Sequence, residues 1–135
     1  MKYVLLLAGI YNLLWGAFVV LFPFALFRWA QMDLPRYPEI WQCVGMIVGV
    51  YGIGYIIAAF DPVRHWPIVL VGLLGKVLGP IGMADAIWRA KFPAVAAFTC
   101  LTNDLIWWIP FTLILWRAWR LQQSPKESES MKKFR

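Results

Sequence analysis

Four stretches of about 20 apolar residues, divided by breaks too short to fold alone, decide the solvent in which this chain can fold. They fall close to residues 3–22, 40–60, 67–88 and 93–116. At 1.5 Å of rise per residue, each is long enough to cross a hydrocarbon core of about 30 Å as a helix. The chain has 135 residues, 61% of them hydrophobic and 15% charged, and a globule of that size leaves too much surface in water to hide such a surplus. A soluble monomer and a disordered chain are therefore excluded. The pattern predicts an all-α integral membrane protein, an antiparallel four-helix bundle over residues 1–116.

The breaks carry the punctuation this requires. Pro67 and Pro93 stand where a first helical turn begins, a position at which the missing amide costs nothing. The links Asp61 to Trp66 and Arg89 to Phe92 are so short that the helices they join must be antiparallel neighbours. After Pro23, the mixed run Phe24 to Trp29 suits a short segment in the headgroup layer. Trp29, Trp41, Trp66, Trp88, Trp116 and Trp119 fall near span ends, as an interfacial belt does. No small-x-small cleavage site precedes Arg28, so the first span reads as retained.

Charge sets the orientation. Lys2, Arg64, Arg117, Arg120, Lys126, Lys132, Lys133 and Arg135 share one side, against Arg28, Arg36, Arg89 and Lys91 on the other. The positive-inside rule then places both termini in the cytoplasm, in the cell (inner) membrane. Residues 117–135 read as a basic, disordered cytoplasmic tail. The net charge of +6 forms no stripe on a polar surface, so nucleic acid is not an expected partner; a bilayer with anionic headgroups is. A homo-oligomer or another membrane protein is a further candidate partner.

One basic residue, Lys76, lies deep inside a span. It stands twelve positions before Trp88, and Asp104 ten after Ala94 on the next span, depths of about 18 and about 15 Å from one face. A charge at the bilayer centre is costly and normally faces the bundle interior with a partner, so Lys76 and Asp104 are expected to pair. Asn12, Tyr51 and Asn103 reach similar depth, giving a polar layer to which every span contributes. Pro80 adds to it by depriving the Lys76 carbonyl of its amide partner. Trp107 and Trp108, beside this layer, are expected to wall it and to stack a planar ligand or seal the bundle.

Glycines Gly45, Gly49, Gly72, Gly75, Gly79 and Gly82 recur at helical spacing on spans two and three and are expected at helix contacts, where small residues let backbones approach. Asp61, Arg64 and His65, in the link after span two, combine an acid, a cation and the one histidine of the chain. They read either as an entrance for a proton or substrate or as a capped turn. Asp85 is expected to pair with Arg89, four residues on. Cys43 and Cys100 adjoin no cation that would stabilise a thiolate, and read as inert thiols. No metal or cofactor is expected, since one histidine and two distant cysteines offer no ligand set. No catalytic motif is present in the sequence.

The opening Gly9-Ile10-Tyr11-Asn12-Leu13-Leu14-Trp15-Gly16, running to Phe22-Pro23, together with four closely spaced spans, resembles small bacterial four-helix membrane proteins of the DoxX-like type. Gly75-Lys76-Val77-Leu78-Gly79-Pro80 and Asn103 to Phe111 are also similar to small membrane proteins that carry an alkyl hydroperoxide reductase label. The first resemblance implies an accessory role beside redox or quinone-linked partners. The second implies an activated cysteine, which neither Cys43 nor Cys100 resembles. From the residues, three readings stand: a binding or accessory protein built around Lys76 and Asp104, an enzyme or proton-coupled carrier acting on a quinone-like substrate, and a purely structural subunit.

Overall fold

A computed structural model describes the backbone of residues 1–133 and the side chains of residues 1–123. Every regular element among them is helical: α1 (Lys2–Leu21), α2 (Ala25–Trp29), α3 (Pro38–Phe60), α4 (Trp66–Trp88), α5 (Phe98–Cys100) and α6 (Ile106–Lys133). Between α4 and α6 lie a 3-10 segment, Ala94–Ala97, and a π-turn, Leu101–Leu105, on either side of α5. Four stretches are long and apolar enough to cross a membrane: Lys2–Leu21, Pro38–Phe60, Trp66–Trp88 and the composite Ala94–Gln123. The last of these continues as helix beyond Trp116, to Lys133; the tail side chains of residues 124–135 lie outside the described residues.

The helices associate as two pairs. Contact between α1 and α3 is the most extensive, and it is made by glycine. Gly9 meets the backbone of Gly52, and Gly16 meets the backbones of Gly45 and Gly49, so closely that a Cβ at Gly9 or Gly16 would collide with main chain. Four of these glycines come at seven-residue spacing, Gly9 with Gly16 and Gly45 with Gly52, two full turns that return to the same helix face. The second pair is α4 with α6 and the π-turn.

Between the pairs lies a core of side chains rather than of close backbones. Leu5, Ala8, Tyr55, Ala58, Ala59, Val69, Phe111 and Ile114 are buried together there. The Tyr55 ring meets Phe111 edge-on, with centroids 5.1 Å apart. At one end of the molecule Lys2 lies over the Phe60 ring and Gln122 Nε2 donates to the Val63 carbonyl at 3.1 Å. At the other, α2 folds against α3 through an edge-on contact of Phe27 with Trp41, 5.5 Å between centroids.

Both α2 and α4 stop in the same way. Met32 and Lys91 donate backward to Phe27 and Ala86, while Gln31 and Ala90 take φ of 55° and 53°. This is the Schellman stop, with Gln and Ala where glycine is usual.

Candidate functional site

Lys76 is 6% exposed, and the surrounding elements supply its neighbours from three directions. Its Nζ donates to the backbone carbonyl of Asn103, which belongs to the π-turn. The ammonium lies over two aromatic rings, Tyr55 at 5.9 Å and Trp107 at 5.7 Å from their centroids. A buried cation is held there by one hydrogen bond and two ring faces. Its own carbonyl, freed by Pro80 inside α4, accepts a hydrogen bond from Trp108 Nε1 at 2.9 Å. An indole thus replaces the missing amide and ties α4 to α6.

Lys76 and Asp104 do not close to an ion pair, whereas Arg89 and Asp85 do, at 2.9 Å. This corrects the direct pairing expected from depth. The ammonium is engaged by the main chain of Asn103, one residue before Asp104, so the acid acts on it only through the field. Asp104 instead sits over Gly79, where a Cβ would come within 3.3 Å of its Oδ2, and lines the same cavity as Cys100. Asn103 Oδ1 accepts from Tyr11 Oη at 2.7 Å. Trp107 Nε1 donates to the Thr102 carbonyl at 3.0 Å, again inside the π-turn.

Around these groups lies a cavity of about 360 Å³. Lys76, Asp104, Asn103, Asn12 and Tyr51 all line it, with Trp15, Trp41, Tyr55, Thr99 and Cys100, and with apolar Val44, Ile47, Val48 and Met83. Asn12 is 5% exposed, the other buried polar side chain besides Lys76 among the described residues. Trp107 and Trp108 stand behind the wall: neither lines the cavity, and each holds a backbone carbonyl.

The glycines divide between two uses. Gly45 and Gly49 lie in the α1–α3 contact, and Gly72 receives the Tyr55 ring. A Cβ at Gly75 or Gly82 would meet nothing within 4 Å, so the expectation that these two face another helix is corrected. Gly72, Gly75 and Gly79 line the cavity; Gly72 takes the Tyr55 ring and Gly79 the Asp104 carboxylate, while Gly75 leaves open space.

The Asp61, Arg64 and His65 segment lines no part of this cavity. Asp61 Oδ1 accepts from the Arg64 amide at 3.0 Å, and the Asp61 carbonyl from the His65 amide at 3.0 Å. It is a capped turn, the second of the two readings, and it stands apart from the cavity lining.

Tyr11, Tyr55, Gly9, Gly16 and Gly52 are the residues that sequence reasoning passed over. Their signals were present: the seven-residue glycine spacing on two spans, and Tyr55 one turn beyond Tyr51. No protein family, curated protein or solved structure matches this chain.

Proposed function

We propose that this is a multi-pass protein of the cell membrane that binds a small apolar or planar ligand around Lys76 and Asp104, alone or as the accessory subunit of a membrane complex. One observation carries the reading. A cavity of about 360 Å³ brings a buried cation, a carboxylate and two asparagines together with the rings of Trp15, Trp41, Tyr51 and Tyr55, the mostly apolar lining with a few convergent polar groups that marks ligand sites.

Several features support the membrane setting. The four apolar stretches expose Leu7, Leu14, Leu74, Leu78 and Ile109, side chains suited to lipid. Contacts of Gly9 with Gly52 and Gly16 with Gly45 run oppositely along α1 and α3, which supports an antiparallel bundle. The charge count supports cytoplasmic termini. The DoxX-like resemblance favours the accessory role.

Thermal unfolding in mild detergent, with a panel of quinones and neutral lipids, tests the proposal. A ligand at a hundredfold excess over its Kd stabilises the folded chain by about 2.7 kcal/mol, a rise of several degrees. That rise is expected to vanish in Lys76→Met and in the double variant Lys76→Met/Asp104→Leu, both still folded. No shift across the panel with the native chain would overturn the proposal.

A further inference from the structure

We propose that the cavity loads sideways from the lipid phase, through the gap between α3 and α4, and takes a single-chain lipid with a small uncharged hydroxylated head of the monoacylglycerol kind. The inference rests on the ligand-binding reading above and names its ligand class. The route follows from what closes the other sides. Below, the link between α3 and α4 is a capped turn, fastened to α6 through Gln122 and Val63, and Tyr55 packs into Gly72. Above, Phe27 of α2 lies against Trp41, over the end of the cavity that Trp41, Met83 and Thr99 line. On a third side the glycine contact of α1 with α3 brings backbone against backbone, and on the fourth Tyr11 of α1 donates to Asn103 and lies against the Trp107 ring.

The gap between α3 and α4 is different. Gly75 on α4 meets nothing within 4 Å of a Cβ position. Val44, Ile47 and Tyr51 on one flank and Gly75 and Gly79 on the other are exposed and also line the cavity. The flanks continue outward into exposed Met46, Val50, Leu74 and Leu78, so a molecule in the gap passes directly from lipid-facing surface to Lys76.

Size and charge select the head. A volume of about 360 Å³ holds roughly a dozen water-sized groups at about 30 Å³ each, enough for a small head and the start of a chain but not for a phospholipid. Lys76 and Asp104 line the cavity with opposite charges that sum to zero. An anionic head would satisfy the first and repel the second, a cationic head the reverse, and either leaves a net charge in a low-dielectric site. A neutral glyceryl head accepts from Lys76 and donates to Asp104 without changing that balance, while its chain stays in the gap.

The full chain in phosphatidylcholine nanodiscs is titrated with monoolein, oleic acid and oleylamine, and retained lipid is counted by native mass spectrometry. Monoolein is expected at one per chain, retained about tenfold or more over either charged lipid. Gly75→Trp, which fills the gap, is expected to reduce retention by a similar factor, whereas Ile109→Trp on the exposed face of α6, away from the gap, leaves it unchanged. Ile47→Trp, across the gap at an exposed position, replaces Gly75→Trp if the latter fails to fold. Preferential retention of oleic acid or oleylamine would overturn the head assignment and leave the binding site standing. Native retention in whichever gap variant folds would overturn the lateral route. Retention of no lipid and no co-extracted small molecule would overturn the binding reading itself.

Discussion

At Lys76, a buried cation is stabilised by a backbone carbonyl and two ring faces, and the proline four residues on is compensated by an indole. The second arrangement makes a testable coupling. Trp108→Phe leaves the Lys76 carbonyl without a donor, a loss of about 1–3 kcal/mol for a buried polar group. Pro80→Ala restores a helical amide to that carbonyl, so the double variant Pro80→Ala/Trp108→Phe is expected to lose clearly less than Trp108→Phe alone. Unfolding of the four proteins in detergent measures the cycle, and strict additivity would mean that the indole is not the substitute donor. Much of this was legible in the sequence: the depth of Lys76, the carbonyl freed by Pro80, and the mid-depth Asn12, Tyr51 and Asn103. What was not legible is the partner of the ammonium. That partner is a main-chain oxygen of a π-turn, and irregular backbone of this kind is announced by no side-chain pattern.

Glycine does opposite things in different helices. In α1 and α3 it admits a neighbouring backbone; at Gly75 of α4 it leaves space beside Lys76. Gly16→Ala is therefore expected to destabilise the fold by about 1–3 kcal/mol, as overpacking does. Gly82→Ala, with nothing within 4 Å of its Cβ, is expected to be neutral or to stabilise by up to about 1 kcal/mol through helix propensity. Equal losses at the two positions in denaturant titrations would contradict the division. Spacing alone cannot separate these uses, because a stripe of small residues reads alike whether a helix or a hollow lies opposite. The fourth apolar stretch was likewise legible by length, while its passage through 3-10, α and π geometry was not.

Across the whole molecule, the N-terminal end of α1, the turn after α3 and the Gln122 end of α6 meet at one end, with Arg36 and Arg89 in links at the other. In a Cys43→Ala/Cys100→Ala background, cysteines at Lys2 and Arg64 are expected to react with an impermeant maleimide only after spheroplasts are opened. Cysteines at Arg36 and Arg89 are expected to react in intact ones. The reverse pattern would invert the orientation read from charge. One further consequence follows from the two-pair construction. The α1–α3 frame is held by main chain against main chain, while the hollow beside it is bounded by side chains, Trp15, Trp41, Tyr51 and Tyr55 among them. Shape of scaffold and shape of hollow are written in separate positions. Exchanging a ring therefore resizes or re-lines the hollow while the contact that sets how α1 and α3 stand is left in place.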